Sequence, residues 1–224
     1  MKKKIIGLAA LSLAVLSINA QTPGTATTTA DKPVSIQIRA GVNFQNLTGE
    51  SGGNDYENDL KTGFHAGVEV PIMIAPDFYI QPGVLYSLKG AKSKDNSDLK
   101  TNLSYVEVPV NFVYKPLLGS GHLILGVGPY LGIAIGGTVT NGDDDVDIEF
   151  EKEVTLAQYA TAPYYKRTDF GGNFLVGYEL SNKLFFQLNA QLGLTNIAPK
   201  IEGFDEDDYN IKNTGFGLSV GYRF

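Results

Sequence analysis

Few side chains in this chain are suited to chemistry. There is no cysteine, which excludes a thiol nucleophile, a thiolate metal site, a disulfide and a lipid-anchored N-terminal cysteine. Only two histidines are present, His65 and His122. The strand pattern described below puts them at opposite ends of one sheet, so they do not form a two-histidine metal site. A serine–histidine–carboxylate set around His65 needs partners at defined spacing, and nothing in the sequence marks one. The expectation for His65 is a hydrogen-bonded interior residue. Gly126, Gly128 and Gly132 do not make a dinucleotide loop, because they lie inside a strand pattern and precede no helix. Inside a strand they allow close backbone approach or room for neighbouring side chains. The reading therefore expects no enzyme and no cofactor.

Carboxylates are more plentiful. Asn141 to Glu149 reads NGDDDVDIE, with Asp143, Asp145, Asp147 and Glu149 at alternate positions. Asp205 to Asp208 adds four more. Hard cations such as Ca²⁺ take several oxygens of this kind. An EF-hand does not fit, since the sixth position from Asp143 is Ile148 and the twelfth is Val154. The bland reading is a solvated, mutually repelling loop. The sharper one is a weak Ca²⁺-like site on Asp143, Asp145, Asp147 and Glu149.

A second charged set is spread along the chain: Arg39, Glu69, Lys89, Glu107, Asp169, Glu179 and Arg223. What they do depends on the elements that carry them. From Thr214 to Phe224, apolar side chains alternate with Gly, Ser and Arg, the period of a β-strand. The same alternation recurs over 34–46, 62–75, 78–90, 103–115, 122–139, 167–180 and 183–195. That makes eight strands. Seven charged residues share the polar faces, and the opposite faces are aliphatic and aromatic. The connections alternate long and short, with both ends of the sheet on the short-turn side. Strands of about 11 residues tilted near 45° stand roughly 25 Å tall, the height of the apolar band of an outer membrane.

Alternation alone does not say which face points outward, because a soluble lipocalin-like barrel has the same period. Three features select the membrane version. The polar faces are rich in Gly and poor in Lys and Glu for a water-facing surface. Aromatics gather near strand ends, as girdles do: Phe44, Phe64, Tyr86, Phe170 and Phe216 at one, Tyr114, Tyr178, Phe186, Tyr222 and Phe224 at the other. Residues 1–20 form a secretory signal peptide, with Lys2, Lys3 and Lys4 before a short apolar run and Ala20 before the cut. The run is too short to span a bilayer as a helix. Residues 21–33 read as a flexible leader rich in Thr, Ala and Pro, and 34–224 as the barrel. The mean hydropathy of −0.06 suits a barrel, in which alternate residues face a polar interior. Removing the three lysines takes the formal charge from −6 to −9, which disfavours nucleic acid as a partner. The fold expected is thus all-β, an eight-stranded antiparallel up-and-down transmembrane barrel. Its charged set then projects into a lumen only wide enough for side chains to fill. A polar plug is the expected role, and a narrow ion or water path the alternative.

Three segments carry a resemblance. Tyr105 to Val110 (YVEVPV), Gly128 to Gly132 (GPYLG), and Asp169-Phe170-Gly171 followed by Gly177-Tyr178-Glu179 resemble strands of the small, porin-like outer-membrane β-barrel proteins widespread in Bacteroidota. The resemblance spans roughly 34–224. It implies an eight-stranded barrel in the outer membrane of a Gram-negative bacterium, with both mature termini periplasmic. Among outer-membrane barrels the closing strand, here ending in Tyr222 and Phe224, resembles the signal read by the barrel insertion machinery. Partners expected are outer-membrane lipid, that machinery and an external ligand or protein of unspecified kind. A structural or surface-interaction protein is the leading function. A transport or secretion-accessory component is the alternative, and an outer-membrane enzyme a distant third.

Overall fold

The computed structural model describes residues 35–51, 54–55, 58–204 and 209–224. The expected signal peptide, the leader and the acidic run at 205–208 lie outside the described residues.

Among the described residues there are eight long strands: β1 Gln37–Ser51, β2 Lys61–Glu69, β3 Phe78–Ser93, β4 Leu99–Tyr114, β5 Gly121–Asn141, β6 Thr168–Glu179, β7 Leu184–Gly193 and β8 Tyr209–Arg223. Each pairs antiparallel with its neighbours in sequence. The ring closes between β1 and β8, from Gln37 opposite Arg223 to Ser51 opposite Tyr209. Closure leaves neither of these strands with an open edge, which is the requirement for a sheet in lipid. No helix among the described residues is long and apolar enough to cross a membrane.

Alternation sorts the side chains. Val42, Val68, Val110, Val127, Val176, Leu188 and Leu218 point outward and are each 41–50% exposed. The residues between them point into the lumen and are buried, among them Asn43, Glu69, Asn111 and Gln187. Aromatic pairs stand on the outer surface near both ends, Phe44 against Phe216 and Phe64 against Tyr86 at one, Phe78 against Tyr114 at the other.

The strands differ from the sequence expectation chiefly in length. β1 runs on to Ser51, β3 to Ser93, and β4 starts at Leu99, so the expected 12-residue loop between β3 and β4 shrinks to 94–98. Those overhangs are polar on their outward face, and hydropathy hides a strand that continues past an apolar band into water. Strand two is interrupted. Val70 and Pro71 leave the ladder, and the chain resumes as Ile72–Ala75. Pro71 has no N–H to donate, which ends regular pairing there. The short turns carry their own strain: Asp77 after Pro76 and Lys183 after Asn182 both take positive φ.

The lumen also departs from an all-polar plug. Val113, Ile124, Leu175 and Phe185 form an apolar layer near the short-turn end. Leu47, Ala91, Leu103, Tyr105 and Ala134 form another at the loop end, with Ile148, Tyr165 and Ile197 from the connections packed on top. Large lumen side chains face glycines on the next strand: Tyr130 opposite Gly171, Phe185 opposite Gly221, His65 opposite Gly41. A Cβ at Gly171 would lie 2.6 Å from the Tyr130 ring. In a barrel this narrow, glycine is what makes room for an aromatic.

Candidate functional site

The lumen charges fall into three groups. Nearest the loop end, Lys89 Nζ lies 2.6 Å from Glu107 Oε1 and 3.0 Å from Asp169 Oδ2. The same ammonium sits 4.3 Å from the centre of the Tyr130 ring. Asp169 also accepts hydrogen bonds from the Tyr130 hydroxyl at 3.1 Å and Asn213 Nδ2 at 3.0 Å. Gln191 donates to Glu107 at 3.1 Å. All three ions are buried, Lys89 and Asp169 completely.

At the short-turn end Glu179 is held by two cations. Lys115 Nζ reaches Oε2 at 2.5 Å, and Arg223 donates from Nη2 and Nε to Oε1 at 2.5 and 3.0 Å. Beside this group, Arg39 Nε pairs with Glu69 Oε2 at 3.1 Å and Gln37 donates to Glu69 at 2.7 Å. Arg39 also donates to Ser219 Oγ, and His65 Nε2 lies 2.7 Å from that hydroxyl. The serine is thus held within a buried polar cluster.

The seven charged residues singled out from the sequence are therefore brought into these groups. Lys115 was missed. It lies eight residues beyond Glu107 on the same parity of the strand pattern, which was the available signal. Its inclusion matters, because the lumen then holds Arg39, Lys89, Lys115 and Arg223 against Glu69, Glu107, Asp169 and Glu179. Four cations balance four carboxylates. Tyr105, Tyr130 and Asn213 were missed too, and parity again assigns them to the lumen.

The acidic candidates are placed differently. Asp144–Asp147 forms a strand against Thr138–Asn141, a hairpin at the far end of β5, with Asp143 in its turn. Asp145 accepts a hydrogen bond from Thr140 at 2.6 Å. Glu149 belongs to a separate pairing, in which Glu149–Phe150 runs parallel to Tyr164–Tyr165. Among the described residues no group of three or more His, Asp or Glu converges to hold a metal.

A cleft of about 480 Å³ at the loop end involves this hairpin. Val139 and Val146, a cross-strand pair of the hairpin, form one wall. The segment 159–165 and residues Ala198, Pro199, Ile201 and Ile211 form the rest. The β5–β6 and β7–β8 connections are stitched together here, Glu153–Val154 pairing with Lys200–Ile201. A one-turn helix, α1 Leu156–Tyr159, is closed by a capping box between Thr155 and Gln158. At the opposite end, Tyr222 and Phe224 stack edge to face on the outer surface, and the Phe224 N–H donates to the Ile36 carbonyl.

A closed ring of eight antiparallel strands, apolar outside and packed with paired charges inside, defines a transmembrane β-barrel. Residues 19–198 match the family model described as outer membrane protein beta-barrel domain, and the chain belongs to that family. The chain is an outer-membrane β-barrel protein of a Gram-negative envelope. Similar solved structures include neisserial surface protein A (NspA), at 14% identity and TM-score 0.43 over 84% of this chain and 95% of that one. Ail, the attachment invasion locus protein of Yersinia pestis, is similar at 13% identity and TM-score 0.43, covering 85% and 99%. Ail in complex with the heparin analogue sucrose octasulfate gives 12% and 0.42, covering 85% and 99%. No curated protein sequence matches the chain.

Proposed function

We propose that the protein is a plugged surface barrel, of the porin-like kind its strand motifs resemble in Bacteroidota, whose work is done by the loop end. The observation that carries this reading is the balance and pairing of the lumen ions. A conducting pore is lined by an excess of one charge or by groups that can shed a bound ion. Here each lumen cation has a carboxylate partner, and apolar layers lie across the lumen near both ends. In this reading the short turns and both mature termini are periplasmic, residues 1–20 are removed on export, and the long connections face outward.

Planar-bilayer recording of the refolded chain tests the plug. No conductance steps are expected, and regular steps would transfer support to the transport alternative. A peptide tag inserted at Gly142 tests orientation, since antibody should reach it on intact cells. The closing strand supplies a third test. Removing Phe224 should lower the amount of barrel inserted in cells while leaving the stability of refolded protein within about 0.5 kcal/mol, as for a surface substitution. Normal insertion of the truncated chain would remove the assembly role of Tyr222 and Phe224.

A further inference from the structure

We propose that the middle of the lumen is a binding site for ordered water, held by the side-chain amides of Asn111, Gln187 and Asn189 and by the Glu69 carboxylate. This rests on the plugged lumen proposed above and names what the plug encloses between its ionic groups.

Both amide atoms of Asn111, Gln187 Nε2, Asn189 Oδ1 and Glu69 Oε1 are buried with no hydrogen-bond partner among the described residues. The four residues are at most 8% exposed. Register gathers them at one level of the barrel. Val113 on β4 and Phe185 on β7 meet in the apolar layer near the short turns. Residues two apart on a strand share a face, so Asn111 and Gln187 occupy the next lumen positions above that layer, and Asn189 the one after. Gln187 stands opposite Ser219 in the ladder, and Ser219 accepts a hydrogen bond from Arg39. Arg39 and Gln37 both engage Glu69 Oε2, which leaves Oε1 unused. Farther up, Gln191 on β7 donates to Glu107 on β4. The orphaned atoms therefore lie between the apolar layer and the Lys89 group. A buried polar group without a partner is costly, and inside proteins such groups are met by bound water. The chemistry of the set selects a neutral occupant. Glu69 already has Arg39, and the other three side chains are uncharged amides. Their N–H donors disfavour a cation and their carbonyl oxygens an anion, whereas water both donates and accepts. The Arg39 side chain, though turned into the lumen, is 6% exposed, so a water-sized sphere fits beside it. At 2–4 hydrogen bonds each, about one or two waters would satisfy the set.

The test uses the full mature chain refolded in detergent micelles. Magnetic relaxation dispersion of the water oxygen reports waters held inside a protein for longer than it takes to tumble. The double variant Asn111→Leu with Gln187→Leu should lower the dispersion amplitude by about one water or more relative to the unsubstituted chain. Asn111→Ser, smaller and still able to hydrogen-bond, should keep that amplitude. Urea unfolding gives a second readout of opposite sign for the two cases. With water bound, Asn111→Leu strips the water of a partner and should lower the midpoint. A dry amide would raise it, because an apolar group of similar size relieves an unpaired polar one. An unchanged amplitude in the double variant, or a raised midpoint for Asn111→Leu, overturns the proposal. Gel migration with and without heating checks that each variant remains a barrel. Should the Leu variants fail to form one, the unsubstituted chain decides: its Asn111 and Gln187 side-chain amide protons should show direct Overhauser cross-peaks to water, and their absence overturns the site. Bilayer recording separates the two readings. Conductance steps remove the plug. No steps, together with no long-lived water lost in the double variant, remove the water site and leave the plug.

Discussion

Lys89 stands between Glu107 and Asp169 with no surface open to solvent. Replacing it with Met leaves two carboxylates buried together, a change that typically costs about 3–5 kcal/mol. Urea unfolding in micelles should show that loss. Adding Glu107→Gln and Asp169→Asn should return a good part of it, because the uncompensated charge goes with them. A loss below about 1 kcal/mol for Lys89→Met would mean that the pairs are ornamental. Tyr130 makes the same point from the other side. Its hydroxyl donates to Asp169 and its ring covers the Lys89 ammonium, so one aromatic serves both charges. That seven of these eight ions would share the lumen was legible from parity. Which of them touch was not, because Lys89 and Asp169 are 80 positions apart.

The elements hold both economies and strains. The turn between β6 and β7 is stabilised by the Lys183 N–H donating to the Leu180 carbonyl and the Leu184 N–H donating to Asn182 Oδ1. It also forces Lys183 to a φ of 70°. An L residue with a long side chain is strained there, and Lys183 is exposed. Lys183→Gly should therefore raise stability by about 0.5–1 kcal/mol in the same urea experiment, since relief of strain exceeds the added chain entropy. A destabilised variant would show that the lysine side chain contributes something the turn geometry does not. The hairpin at the end of β5 is an element the sequence concealed. Its polar and acidic residues read as loop, yet Asp144–Asp147 pairs in register with Thr138–Asn141. Propensity disfavours Asp in strands, and here the ladder of a long neighbouring strand overrides it.

At the scale of the whole molecule, the apolar outer face and the filled interior imply opposite rules from those of a soluble protein. Leu188 is in the middle of β7, points outward and is 47% exposed. In water such a site tolerates Arg with little effect. In a bilayer Leu188→Arg should cost about 2–4 kcal/mol, measured by unfolding from vesicles. An effect within about 0.5 kcal/mol would place this face in solvent. The loop end obeys the ordinary rule again.

Period-2 alternation and its eight repeats determined the barrel and its strand number, while the glycine-rich polar faces, the aromatics at strand ends and the export signal were needed to say which face points outward. These are local properties, written within about a dozen residues at a time. The lengths of the strands were not, since their overhangs carry Thr48, Glu50, Lys92, Lys100 and Asn102 on the outward face, where the apolar pattern stops. Nor were the partners of the lumen ions, the part played by Lys115, the apolar layers that interrupt the plug, or the joining of two distant connections into one cleft. Those follow from closure. Once β1 meets β8, residues far apart in the chain occupy one narrow cylinder, and volume and charge must balance around the ring rather than along the strand.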